Sequence, residues 1–112
     1  MSLDIKIKRA SEEKYIEIKP IGEVDIYTSP EFKEKILKLI EIESIDIIIN
    51  GEELEYIDST GLGVLMSLYK KAQEKNIIIK ITNLNSNIYK LFDITGLNKV
   101  FDIRNGDSDG QH

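Results

Sequence analysis

The 112-residue chain has no cysteine, no tryptophan, two prolines and a single histidine, which is its last residue. Each shortage narrows the chemistry. Without cysteine there is no disulfide, no thiolate metal site and no thiol nucleophile. With the one imidazole at His112, a Ser-His-Asp relay lacks a base that a folded core would hold against a nucleophile. No run reaches the roughly 18 apolar residues that a bilayer span needs. The N-terminal MSLDIKIKRA carries charges where a secretory signal requires an apolar stretch, so a cytoplasmic location is expected. Basic surplus is also missing: 20 Asp and Glu stand against 15 Lys and Arg, a net charge of -5. Nucleic acid and anionic membrane both reward basic surface, so neither is an expected partner.

The catalytic motifs are absent too. HExxH, Walker A and GxGxxG do not occur, and the GLG at 61–63 lacks both the third glycine and the preceding strand junction. A phosphoacceptor receiver domain is small, acidic and α/β as well. Here, however, the apolar run IDIII leads into Asn50 rather than an aspartate, and the early acidic pair is missing. No catalytic residue, metal ligand set or cofactor is therefore expected, and the chain reads as something other than an enzyme.

What is present is the composition of one globular domain, with 41% hydrophobic and 31% charged residues. Residues 3–9 (LDIKIKR) and 15–21 (YIEIKPI) alternate apolar and polar, the period of half-buried strands. The turn at 10–14 makes them a hairpin. Pro20, which cannot donate to a ladder, marks a strand end or a sheet edge. A helix over 30–42 follows from Phe32, Ile36, Leu39 and Ile40 at helical spacing. Its start is offered by Thr28 with Glu31 in a capping box, or by Ser29 as cap with Pro30 at the first position. Residues 45–49 (IDIII) read as a strand covered on both faces. Residues 50–58 read as a polar connection, 60–74 as a helix, 77–81 as a strand, 86–93 as a helix capped by Ser86, and 100–103 as a last strand. The expected fold is α/β: one small domain over 1–104, with a mixed, mostly parallel sheet of four to five strands carrying helices. Residues 105–112 (NGDSDGQH) are expected to form a flexible polar tail.

The stretch 56-YIDSTGLGVL-65 stands out. Ser59 directly precedes the apolar pattern of Val64, Leu65, Leu68 and Ala72, so it reads as a helix N-cap. Gly61 and Gly63 disfavour a helix by roughly 1 kcal/mol each, which asks for a reason beyond stability. They serve either close packing of the helix on its own sheet or the approach of another backbone. Leu62 between them is expected to be exposed. A phosphate on Ser59 would lie against free N–H groups at the positive end of the helix dipole, adding about -1.5 to -2 charges. Phosphorylation there can change an interface without unfolding the domain. With no base of its own, Ser59 would react only through another protein.

Three blocks, 22-GEVDIYTSP-30, 56-YIDSTGLGVL-65 and 91-LFDITGL-97, make residues 3 to 103 resemble the anti-sigma factor antagonists of the STAS-domain family, with DSTGLG the most discriminating. The resemblance implies partner switching. The unphosphorylated protein binds an anti-sigma factor that is a serine kinase, and so releases a sigma factor. Phosphorylation of Ser59 abolishes binding, and a PP2C-type phosphatase restores it. The resemblance places Asp25, Ile26, Tyr27 and Thr28 on a docking surface shared with Asp58, Thr60, Gly61, Leu62 and Gly63. It leaves open whether the pathway is general stress or sporulation. The alternative is a STAS scaffold or sensor module that binds a nucleotide or another small ligand.

Overall fold

The computed structural model describes residues 2–9 and 14–104. The expected turn at 10–14, except Lys14, and the expected tail at 105–112 lie outside the described residues. The chain order is β1 (Leu3–Arg9), β2 (Tyr15–Val24), α1 (Ser29–Glu43), β3 (Asp46–Asn50), β4 (Leu54–Ile57), α2 (Ser59–Glu74), β5 (Ile79–Thr82), α3 (Ser86–Thr95), a 3-10 turn (Leu97–Lys99) and β6 (Asp102–Arg104). The sheet runs β1-β2-β3-β5-β6, with β4 also paired to β2. Only β1 is antiparallel to its neighbour; the β2–β3, β2–β4, β3–β5 and β5–β6 pairs are parallel.

Among the described residues six strands form where four to five were expected. The addition is β4, which arises inside the segment read as a polar connection. Two apolar residues, Leu54 and Ile57, give too weak a period to announce a strand; pairing with β2 supplies what the pattern lacks. The ten-residue β2 pairs its first half with β3 (Tyr15 to Ile18) and its last three residues with β4. Pro20 lies between these two stretches and directly opposite Ile5 of β1. Gly22 donates its N–H to Glu53 O at 3.0 Å on the β4 side. Strand alternation puts the missing N–H of Pro20 on that same edge, in the gap between β3 and β4. So Pro20 neither ends the strand nor sits at the sheet edge, contrary to expectation. It occupies a place where no ladder bond was to be made.

Asn50 organises the break between β3 and β4. Its Oδ1 accepts from Glu52 N at 3.0 Å and from Asn83 Nδ2 at 3.2 Å. Gly51 N donates to Thr82 O at 2.6 Å and Leu54 N to Gly51 O at 3.1 Å.

The helices bury one face of the sheet in a single core. Ile16, Ile18, Ile47, Ile49, Ile79 and Ile81 point into it, against Phe32, Ile36 and Ile40 of α1, Leu65 and Leu68 of α2, and Ile88 and Phe92 of α3. Each fully buried aliphatic or aromatic side chain stabilises the fold by about 1.5–3 kcal/mol. Phe101 stacks edge-on with Tyr69 at 5.3 Å and with Phe92 at 6.3 Å, which ties the chain's last turn to α2 and α3. The other sheet face carries Lys6, Lys8, Glu17, Lys19, Ile48 and Lys80, all exposed or half-exposed. The strand over 45–49 is therefore buried on one face, not both. A nearly continuous isoleucine run does not reveal by itself that no described helix covers the second face.

Three helix starts differ from expectation. Ser29 begins α1 with Pro30 in the first turn; Thr28 occupies the cap position but makes no side-chain capping bond, because its hydroxyl is used elsewhere. Asn85, not Ser86, caps α3, accepting from Ile88 N at 2.9 Å. Asp58, not Ser59, caps α2. At the far end of α3, Gly96 turns left-handed (φ 81).

Candidate functional site

Two loops at the C-terminal ends of parallel strands form the site: β2–α1 (residues 25–28) and β4–α2 (Asp58). Pairing of Val24 with Ile57 brings them side by side. Asp58 joins them. Its backbone N–H donates to Val24 O at 3.2 Å and its carbonyl accepts from Leu62 N at 3.0 Å. Its Oδ1 accepts from Gly61 N at 3.0 Å, capping α2, while Oδ2 accepts from Ile26 N of the other loop at 3.2 Å. The carboxylate that precedes Ser59 is thus a staple between the two loops.

With Asp58 as cap, Ser59 becomes the first residue of α2 rather than the cap itself. Its side chain is exposed and makes no hydrogen bond to any described residue. Of the four N–H groups at the helix start, Asp58 engages those of Gly61 and Leu62. Those of Ser59 and Thr60 have no partner within the helix. Freed from capping, the Ser59 hydroxyl is open to chemistry, and two N–H donors stand ready for an anion attached to it.

The loop at 25–28 is ordered by Asp25, which is 3% exposed. Asp25 Oδ1 accepts from Tyr27 N at 2.9 Å and from Thr28 N at 3.0 Å. The Thr28 hydroxyl accepts from Asp25 N at 2.9 Å and donates to Glu23 O at 2.8 Å. Burial by itself pushes the Asp25 carboxyl up. The N–H groups of Thr28 and Tyr27 outweigh it, leaving the group below the usual carboxylate range. So Asp25 is held ionised inside the loop, and Ile26 and Tyr27 are pushed outward, 59% and 80% exposed.

The two glycines have different reasons. A Cβ on Gly61 would stand 2.6 Å from Ile57 Cγ1 and 2.8 Å from Val24 O, so this glycine lets α2 press onto β2 and β4. A Cβ on Gly63 would meet nothing within 4 Å. Of the sequence-derived candidates, Ile26, Tyr27, Ser59, Thr60 and Gly63 are exposed, and Asp58 and Thr28 are half-buried. Asp25, Gly61 and Leu62 are buried. The expected exposure of Leu62 is corrected: it turns into the core, because the helix begins one residue earlier than the serine cap implied. Tyr56 was missed. It is exposed on β4 opposite Glu23, two residues before Asp58. A strand reading of residues 54–57 would have set it outward. Among the described residues no group of three acidic or histidine side chains could hold a metal, and no helix is long and apolar enough to cross a membrane.

This fold and these two loops define a class. The sequence profile of the STAS domain matches residues 7–109, and the chain belongs to that family. Among its relatives is a protein of Bacillus subtilis (strain 168) named anti-sigma-B factor antagonist, 35% identical over 103 residues, covering 92% of each chain. A protein of the same name from Staphylococcus aureus (strain NCTC 8325 / PS 47) is 32% identical over 104 residues, covering 93% of this chain and 96% of that one. The fold is shared with the crystal structure of an anti-sigma factor antagonist from Mycobacterium paratuberculosis. That match has a TM-score of 0.83 at 20% identity, over 96% of this chain and 90% of that one. It is shared also with SpoIIAA in its phosphorylated form, with a TM-score of 0.71 at 19% identity, over 96% of both chains.

Proposed function

We propose that the protein is an anti-sigma factor antagonist, a binding module switched by phosphorylation of Ser59. In its unphosphorylated form it binds an anti-sigma factor that is a serine kinase, and a sigma factor is released to direct transcription. Phosphate on Ser59 ends the association, and a PP2C-type phosphatase restores it. The observation that carries this reading is the state of Ser59: exposed, unbonded, relieved of capping by Asp58, and beside the outward Ile26 and Tyr27. The names of the relatives, at 35% and 32% identity over nearly the whole chain, support the same reading. The phosphoryl transfer belongs to the partner, since no imidazole, and no carboxylate other than the fully engaged Asp58, adjoins the hydroxyl in the chain.

The switch follows from charge. About -1.5 to -2 charges would appear at an interface that already contains Asp58. The two free N–H groups hold the phosphate against the helix start, so the domain stays folded while the docking surface becomes strongly anionic. Incubation with the cognate kinase and ATP, followed by mapping of the phosphate, tests the assignment. Label is expected on Ser59 and none on Ser59→Ala; unchanged labelling of that variant would refute it. Ser59→Asp is expected to fold normally and bind the kinase weakly, and an unfolded Ser59→Asp would contradict the electrostatic account.

A further inference from the structure

The sheet face that no described helix covers holds a groove of about 430 Å³ at the end of the strands remote from Ser59. This volume lies within the range of small-ligand sites. Tyr15 and Asp46 face each other across the start of β2 and β3, and Ile48 lies beside Lys80 of β5. Ile78 adds an apolar side chain that is 54% exposed. It is held in place because Asp46 Oδ1 accepts from Ile78 N at 3.0 Å. Lys14 and Lys80 stand at the rim. Neither forms an ion pair with a described residue. The carboxylate next to Lys80 in register, Asp102, is taken by Arg104 at 2.7 Å.

We propose that this groove binds a small amphipathic monocarboxylate with a flat or branched apolar body. Two ammonium groups set against Asp46 leave one positive charge in the groove, which matches a monoanion and not a nucleoside triphosphate. Ile48, Ile78 and the Tyr15 ring present apolar surface whose removal from water supplies the affinity. The site is independent of the phosphorylation reading. β2 spans from Tyr15 near the groove to Val24 beside Asp58, about 30 Å by the strand rise. The groove and Ser59 therefore lie at opposite ends of β2 and share no residue.

Titration of the isotope-labelled protein with indole-3-acetate, followed by amide NMR shifts, tests the site. Saturating shifts are expected at Tyr15, Asp46, Ile48, Ile78 and Lys80. Indole-3-acetamide, neutral but of the same shape, is expected to bind at least about tenfold more weakly. Lys80→Gln should weaken indole-3-acetate at least about fivefold, and Ile78→Ser, at an exposed position, should do the same if the first variant folds poorly. Ser59→Asp should leave the titration unchanged. The proposal is overturned by any of three results: no saturation up to about 10 mM, equal binding of the amide, or shifts centred on Ser59. Tighter binding of ATP than of indole-3-acetate also overturns the monoanion assignment.

Discussion

The two glycines of the DSTGLG block offer a direct test, because alanine should have opposite effects at positions two residues apart. In Gly61→Ala the new methyl carbon falls 2.6 Å from Ile57 Cγ1, 2.8 Å from Val24 O and 2.9 Å from Val24 Cγ1. Two of these neighbours are buried core side chains and one is strand backbone bonded to Asp58 N, so none can retreat freely. Overpacking of this kind costs about 1–3 kcal/mol. The helix-propensity gain of alanine over glycine offsets up to about 1 kcal/mol, and less in a first turn. A net loss of about 1–2 kcal/mol is expected, lowering Tm by about 4–8 °C for a domain of this size. Gly63→Ala meets open space, keeps the propensity gain of up to about 1 kcal/mol, and should raise Tm by up to about 4 °C. Urea unfolding followed by circular dichroism measures both, with an unchanged m-value confirming that only stability moved. If Gly61→Ala proved neutral or as stabilising as Gly63→Ala, the close approach of α2 to the sheet would not be what demands glycine there. A Gly63→Ala protein that is more stable yet docks its partner poorly would assign the second glycine to the interface.

Other expectations follow from the loops. Asp58→Ala removes the acceptor for Gly61 N and Ile26 N and should destabilise the domain by about 1–2 kcal/mol; Asp58→Asn, whose Oδ1 can still cap but whose Nδ2 cannot accept from Ile26 N, should recover only part of this in the same unfolding assay. The folded-state carboxyl of Asp25 is depressed, so its contribution is complete above the unfolded value of about 3.9 and is lost as pH falls through the lower folded value. Stability measured against pH should therefore drop more steeply below about pH 4 in the native protein than in Asp25→Asn. Tyr27→Ser and Tyr56→Ser, at exposed positions, should each change stability by less than about 0.5 kcal/mol. Each should nevertheless weaken kinase binding about tenfold or more by calorimetry, as expected of aromatic anchors. Full affinity in both variants would remove these two aromatic side chains from the docking surface.

Much of this was legible in the chain. The 3.6-residue spacing of Phe32, Ile36, Leu39 and Ile40 predicted α1 to within a residue at each end, since an amphipathic helix leaves a periodic trace that no tertiary contact needs to supply. The DSTGLG block marked the candidate site for a similar reason: a helix start, a hydroxyl and unfavourable glycines coincide in ten adjacent residues. Strand β4 was not legible, because two apolar residues in four cannot distinguish a strand from a loop until β2 offers its free edge.

Sequence by itself determined the chemistry available to this protein: no thiol, one imidazole at the last residue, one serine set between an aspartate and a glycine-rich helix start. Those are properties of side chains and their immediate neighbours. Tertiary structure decided which hydroxyl is free and which residues show. It made Asp58 the cap in place of Ser59, turned Asp25 and Leu62 inward, and brought Ile26 beside the α2 start. The physical reason is that the joining of the two loops rests on partners more than 30 residues apart. Val24 O receives Asp58 N, and Ile26 N finds the carboxylate of Asp58, only once β2 and β4 have paired.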